Sequence, residues 1–568
     1  MAARAVRIIT DVAAVDRPFD YLLDTTSPVG LGDRVRVDFN HRSVRGWVID
    51  DANPSPELKT VKKLLGLGPP PSMLELLRWA SERWYGSWSR FLLSASPKRI
   101  VTSLPSVPPA VALSTALQAS ALRVDPGVWQ LAPTTDPIGL ILGAYETTRV
   151  GEGSLLVLVP TEAWASRLRG RLEQRGCAVA AGDEQWNRMR AGWPVVVGSR
   201  GTALAPVPHV AGCVIIDADD EAYRSSAAPT WEAVTLLRER CRREAAPLWC
   251  TSVFPSPALL DRGGYQKEGD LVAGWPRVDV VDRRSSDPRD GVLSRMVVDA
   301  AHRALETDEP VAVVVILQRL GSGRLLACVK CGELVRCVIC DQAEEEQGEE
   351  LSCAARHERR ARFCRHCGST NLKRVRAGVT TLARDVSAQL AQPVSEITAG
   401  ADLGVPLARV VVGTEATWQR VRRCALVVFV DFDQYLLAPR ASARRAAVIA
   451  VAKAGRLVGS RREARGHVVL QTRRGEDGVV QSLVSADFDV LIQDDVATAK
   501  LLTLRPYGAG AEVSGDGAEE FVAGLREESV SVHPSPSGYE VRAPDVATLT
   551  SALQRVERPT TKFRVAVD

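Results

Sequence analysis

The chain has 568 residues, a formal net charge of +4, 45% hydrophobic and 25% charged residues. That length predicts about three to five domains, and the balance describes a globular chain rather than a disordered or fibrous one. No apolar run of about 20 residues is present and residues 1–20 lack a signal-peptide core, so neither a membrane helix nor an exported protein is expected. A cytoplasmic location is expected, where clustered cysteines read as metal ligands rather than disulfides.

Residues 1–50 alternate as β-strands do, in Arg34-Val-Arg-Val-Asp-Phe39 and Gly46-Trp-Val-Ile49, with Gly and Asp turns between. Leu and Trp recur at helical spacing over 72–93. Pro105, Pro108 and Pro109 among small residues mark 101–128 as a linker. From about 129 buried-strand runs alternate with helical segments, at Leu155–Val159, Val195–Val197 and Val214–Ile216. A second set follows at Val311–Ile316, Val410–Val412 and Ala425–Val430. This alternation predicts two parallel-sheet lobes. Residues 476–568 read as a further small α/β domain ending in a strand over Lys562–Val567. Arginines cluster at Arg420-Val-Arg-Arg423, Arg444-Arg445 and Arg461-Arg462, as solvated faces or phosphate contacts.

Seven of the twelve cysteines fall between Cys328 and Cys367. They form Cys328-Val-Lys-Cys331, Cys337-Val-Ile-Cys340, a lone Cys353 followed by His357, and Cys364-Arg-His-Cys367. Each C-x2-C turn sets two thiolates on one side of a tight knuckle, and two knuckles close a tetrahedral zinc site. The cluster interrupts the second strand set and reads as an insertion, with the acidic run Glu344–Glu350 as a solvated loop. Cys177, Cys213, Cys241, Cys250 and Cys424 stand in apolar or helical contexts and read as buried thiols.

Several short stretches together resemble the PriA family of primosomal replication-restart proteins, essentially end to end. They are Arg17-Pro-Phe-Asp-Tyr-Leu22, Gly32-Asp-Arg-Val-Arg-Val37, Gly46-Trp-Val48, Val197-Gly-Ser-Arg-Gly-Thr-Ala-Leu-Ala-Pro206, the cysteine knuckles, and Gly466-His-Val-Val-Leu-Gln-Thr472. The resemblance implies an α/β fold: two RecA-like parallel-sheet lobes, an inserted zinc-ribbon-like module, a β-rich N-terminal domain and a small α/β C-terminal domain. It places a 3′-end DNA-binding domain at 1–100, a linker at 101–128 where the family's winged helix is missing, and lobes at 129–270 and 271–475. The zinc-binding insertion spans 325–371 and the C-terminal domain 476–568.

A working phosphate loop needs close backbone approach, a lysine on the phosphates and a hydroxyl on Mg²⁺. The family's loop falls on Ala132–Gly139, where Ile138 stands for the lysine and Gly139 for the hydroxyl. Pro133 and Pro137 remove backbone donors, and Asp136 adds an unfavourable charge. The acidic motif reads Asp217-Ala-Asp-Asp220, with Ala218 in place of the water-orienting glutamate. Gly413–Gln419 lacks the family's lysine, and in Ala452–Gly459 Arg456 survives while Gly459 replaces a second arginine. A lost transition-state arginine alone is worth about 10³–10⁵ in rate. No catalytic residue is therefore assigned, and ATP with Mg²⁺ is not an expected cofactor.

The resemblance also implies the ligand sets. Cys328, Cys331, Cys364 and Cys367 form the first zinc site; Cys337, Cys340, Cys353 and His357 form the second, His357 replacing a cysteine where Arg356 cannot ligate. One to two zinc ions are expected. Asp20 is expected to read the 3′-terminal nucleotide, with Phe19 and Tyr21 as stacking faces and Arg17, Arg34, Arg36 and Arg45 on phosphates. The favoured reading is a nucleoid-associated restart protein without helicase activity. Its expected partners are forked and single-strand-containing DNA, primosome and replisome-loading proteins, and a single-stranded DNA-binding protein; no membrane is involved. An active 3′→5′ helicase and a zinc-ribbon protein–protein scaffold are the alternatives.

Overall fold

The structure is a computed structural model. It describes residues 4–12, 15–23, 29–148, 153–261, 263–287, 290–318, 326–339, 342–348, 350–353, 357–374, 379–398, 405–438, 440–535 and 538–568.

The N-terminal sheet is built from β1 (Arg4–Thr10), β2 (Phe19–Leu23), β3 (Arg34–Phe39), β4 (Arg42–Ala52) and β5 (Lys63–Gly66), ordered β2-β1-β4-β3-β5 and wholly antiparallel. Its alternation works as the sequence predicts: Val6, Ile8, Val35, Val37 and Val48 share one small core. Ile9 and Trp47 point the other way, onto the helices Pro71–Arg83 and Trp88–Ser94. The Trp47 indole N–H donates to Ser96 Oγ at 2.8 Å, so the buried ring leaves no orphaned donor.

Residues 101–126 add one short helix, Thr115–Ser120, and no strand. The first lobe follows: β6 (Gly127–Gln130), β7 (Ser154–Leu158), β8 (Val179–Ala180), β9 (Val195–Gly198), β10 (Val210–Ile215), β11 (Leu248–Ser252) and β12 (Gln266–Lys267). Their order is β12-β6-β11-β10-β7-β9-β8, and every pairing is parallel. The second lobe holds β13 (Arg277–Asp282) and β14 (Val313–Ile316). The cysteine module then intervenes with β15 (Leu326–Cys328), β16 (Glu344–Gln347), β17 (Glu350–Cys353), β18 (Arg359–Ala361) and β19 (Leu372–Arg374). The lobe resumes with β20 (Val394–Ile397), β21 (Val410–Gly413), β22 (Leu426–Phe429) and β23 (His467–Thr472), giving the parallel order β13-β23-β22-β14-β21-β20. Unbroken Val and Leu runs suit strands covered by helices on both faces, which is the RecA-like arrangement.

The final sheet is antiparallel, from β24 (Ala509–Gly515), β25 (Ser531–Ser535), β26 (Gly538–Ala543) and β27 (Phe563–Val567), ordered β25-β26-β24-β27. The helices Gly478–Ser485 and Asp489–Leu501 lie after residue 476 yet pack into the second lobe, through Val479, Val480, Leu483, Phe488 and Ile492. Amphipathic helices read alike in sequence whichever sheet they cover, so the sequence placed them one domain too late. One continuous apolar core joins the N-terminal helices, the first lobe and the final sheet.

The acidic run differs from its expected solvated loop. It builds an antiparallel hairpin, Glu344–Gln347 against Glu350–Cys353. Glu344 is fully buried and accepts from Arg360 Nε at 3.0 Å, while Glu346 pairs with Arg362 at 2.6 Å. Arginines on and beside the neighbouring strand β18 neutralise acids that sequence shows only as a charge run.

Candidate functional site

On the N-terminal sheet, Asp20 is partly exposed and accepts from Arg7 Nε at 3.1 Å; Arg7 also lies 3.8 Å from Asp50. Arg7 and Asp20 face each other across β1 and β2. Arg7 thus fixes the direction of the carboxylate, and sequence did not single it out. Phe19 lies edge-on to Phe39, with centroids 4.9 Å apart, and carries the Arg17 guanidinium 5.1 Å over its ring.

Two members of the expected DNA-binding set are corrected. Tyr21 is 4% exposed, and its hydroxyl donates to Asp38 O at 3.1 Å. A ring in the core offers no face to a base. Arg34 is 7% exposed and donates to Pro97 O, which makes it a tie between the sheet and the loop beyond the helices. Arg36 and Arg45, by contrast, are exposed and sit directly opposite each other on β3 and β4, with Lys63 opposite Arg36 on β5. Like charges directly opposite are unfavourable unless an anion meets them. Arg45 is relieved in part by Asp11 at 2.8 Å. Lys63 completes the row; only strand register, which sequence does not give, could have found it.

Between the lobes, the loop after β6 and the helix Ile138–Thr148 take the place of a phosphate loop. Asp136 accepts from the Ile138 N–H at 3.1 Å and from Arg171 Nη1 at 3.1 Å. Burial would raise this carboxyl, but Arg171 and the Ile138 N–H hold it below the usual range. The helix N-terminus that would receive phosphate is therefore already met by a resident carboxylate.

Opposite, Asp217 sits beyond β10 with φ +53°, in the left-handed region. Arg456, on the helix Ala443–Val458 of the second lobe, pairs with it at 2.6 Å, donates Nε to Pro133 O at 3.0 Å, and lies 4.9 Å over Trp164. One turn earlier on that helix, Lys453 meets Asp220 at 2.9 Å; Arg440, just before the helix begins, meets Glu221 at 2.8 Å. Burial pushes the Asp217 carboxyl up and Arg456 opposes it; burial pulls Lys453 down and Asp220 outweighs it. Lys453 was legible at i, i−3 from Arg456 on a helix face but was not singled out. These pairs put resident cations on the acids of the Asp217–Asp220 stretch and on Glu221 beside it.

In the cysteine module, the sulfurs of Cys328, Cys331, Cys364 and Cys367 all lie within 4.8 Å of one another. Cys328 and Cys367 are 3.5 Å apart, Cys331 and Cys364 3.6 Å. A tetrahedral zinc with bonds of about 2.3 Å needs sulfurs about 3.8 Å apart, so the four residues fit that metal. Gly332 and Gly368, at φ +73° and +70°, turn the chain behind Cys331 and Cys367. Their amides donate back to Cys328 O and Cys364 O. Burial would raise the Cys328 thiol, but the N–H groups of Cys331 and Lys330 and the neighbouring sulfurs bring it down to about 6. A second group joins Cys337, Cys353 and His357, with His357 Nδ1 at 3.9 Å from each sulfur. Cys340 lies outside the described residues.

The family model of the PriA 3′ DNA-binding domain (3′BD) matches residues 7–97. Replication restart protein PriA of Thermotoga maritima is 22% identical over 400 residues, 63% of this chain and 52% of that protein. That of Bacillus subtilis is 24% identical over 392 residues, 62% of this chain and 48% of that protein. The chain spans about half the length of the curated relatives it matches. Among solved structures, Saccharomyces cerevisiae Dbp5 bound to RNA and ADP BeF3 is 12% identical with a TM-score of 0.36, covering 68% of this chain and 88% of that one, a likeness too slight to bear on function.

Proposed function

We propose that this chain, a relative of the PriA replication restart proteins, is a DNA-binding restart protein that recognises stalled forks and the 3′ ends of nascent strands without acting as a helicase. Its N-terminal sheet reads the end, with Asp20 held by Arg7 on the terminal nucleotide and the row Arg36, Arg45 and Lys63 along phosphates. Zinc, in the four-cysteine set and in the set containing His357, holds the inserted module folded. In this reading the protein works in the nucleoid and brings replisome-loading proteins and a single-stranded DNA-binding protein to the fork.

The observation that carries the motor-less part is the ion pair of Arg456 with Asp217, beside Lys453 with Asp220. A nucleotide with its metal would have to displace both, at a loop that carries Ile138 and Gly139 in the lysine and hydroxyl positions. Fork-stimulated phosphate release tests this directly. No release above background is expected, together with salt-sensitive fork binding that weakens when the 3′ end is blocked. Robust turnover abolished by Asp217→Ala would overturn the motor-less reading, and absence of salt-sensitive DNA binding would favour the scaffold instead.

A further inference from the structure

Residues 59–62 join the two edges of the N-terminal sheet. The Leu22 N–H donates to Lys59 O at 3.0 Å, the Val61 N–H to Leu22 O at 2.9 Å and the Lys62 N–H to Arg36 O at 2.9 Å. The five strands thereby close into a barrel, with Val6, Ile8, Tyr21 and Val37 inside. Side chains alternate across it, so Asp20, Leu22, Arg36 and Arg45 lie on its outer face. Lys63 faces Arg36 directly across β5 and β3, and Arg36 faces Arg45 directly across β3 and β4. Directly paired residues share a face, with Cβ atoms about 5 Å apart. The three cations therefore form a row about 10 Å long, and all three are exposed. Asp11 takes up Arg45 in part, but the side chains of Arg36 and Lys63 have no hydrogen bond or ion pair among the described residues.

Two routes lead round the barrel from Asp20 to this row. One crosses β1 and β4, where Ile9 and Trp47 are buried under the helices Pro71–Arg83 and Trp88–Ser94, and Arg34 is covered at Pro97 O. A strand outside cannot follow the sheet there. The other route crosses the joining segment, where Leu22 is half-buried and Thr60, Lys62 and Lys63 are exposed. Leu22 pairs with Thr60 in parallel, which sets Lys63 about five residues further along than Asp20, or about 16 Å at roughly 3.3 Å per residue. A stacked single strand rising about 3.4 Å per nucleotide covers that in about five nucleotides, and a stretched one in fewer. Cations left side by side without partners repel one another, and a phosphate backbone removes that repulsion.

We propose that this open side of the barrel is a second subsite, which takes the backbone of a single DNA strand about three to five nucleotides behind its 3′ terminus, with Arg36 and Lys63 on its phosphates. The subsite rests on the 3′-end reading of Asp20. It adds a length requirement to that reading, because the strand must be unpaired over about that distance to reach both Asp20 and the row.

The test is competition anisotropy on the full chain with oligodeoxythymidylates of two to ten nucleotides bearing a free 3′ hydroxyl, beside the same series bearing a 3′ phosphate. In the hydroxyl series, affinity is expected to rise about tenfold between two and six nucleotides and little beyond. Arg36→Gln combined with Lys63→Gln should remove that rise, leave the dinucleotide unchanged and lower the salt slope of an eight-nucleotide strand by about 1.4. Arg90→Gln, at an exposed position on the helix that covers the other route, should leave binding unchanged. Circular dichroism checks the fold of each variant. Affinity that does not depend on length, a loss that falls equally on the dinucleotide, or a loss with Arg90→Gln in place of the Arg36 and Lys63 pair overturns the subsite while the 3′-end reading stands. Equal binding of the two series overturns the 3′-end reading, and the subsite with it.

Discussion

Single buried charges set the local chemistry of this molecule. Asp431 follows β22, and its Oδ1 is buried with no hydrogen-bond partner. Burial and the adjacent Asp433 push its carboxyl up to about 7, against 3.8 in the unfolded chain. The folded state therefore holds this proton more tightly. Stability contributed here is present below about pH 4, is lost as pH rises towards 7, and is flat above. Asp431→Asn should raise Tm by about 2–4 °C at pH 8 and leave it unchanged near pH 4, as thermal melts across pH will show. The same scale explains the N-terminal corrections. Tyr21 and Arg34 sit in stretches that resemble the family, yet packing decides who meets solvent: Tyr21 points into the core of the sheet, and Arg34 is covered by the loop at Pro97. Arg36, two residues on and on the same face as Arg34, lies beyond that cover, is exposed and stays a candidate.

At the scale of elements, the cysteine module is the clearest case of a structure without enough core. Among the described residues its apolar core is Leu326, Val335, Leu351 and Leu372 beside Cys328 and Cys364, with Ala327 and Leu334 packed separately on Leu437. A patch that small does not offset the entropy of ordering its strands, so in the proposed reading zinc on the cysteine sets supplies the folding energy. About one to two zinc ions per chain are expected by elemental analysis. Chelation, or Cys364→Ser, should open the module to protease between β14 and β20 while the sheets of the two lobes stay protected; a metal-free module that resists protease would refute this. The pairing of Glu344 with Arg360 needs the hairpin to form first, which is why the acidic run looks solvated in sequence and is not.

For the whole molecule, the decisive contacts cross between lobes. Arg456, Lys453 and Arg440 in the second lobe hold Asp217, Asp220 and Glu221 in the first. Removing Arg456 leaves the mostly buried Asp217 without its partner, so Arg456→Ala should cost about 2–4 kcal/mol. Asp217→Ala in the same chain should recover part of it, with a coupling of about 1–3 kcal/mol in a double-mutant cycle. Denaturant unfolding measures both; additive losses would mean the pair does not hold the lobes. Nucleotide should leave these values unchanged.

The sequence by itself determined the parallel lobes, because runs of Val and Leu between helical segments admit little else, and it located the cysteine set, because C-x2-C spacing acts within a few residues. It also showed Ile138 and Gly139 in the positions where a phosphate loop would carry its lysine and hydroxyl, since such differences are visible one residue at a time. Which cations were spent and which were left over was decided only by the tertiary structure. Lys453 with Asp220 and Lys63 beside Arg36 are both relations between residues far apart in the chain. Charge pairing falls off over a few ångströms, so only the folded distances reveal it.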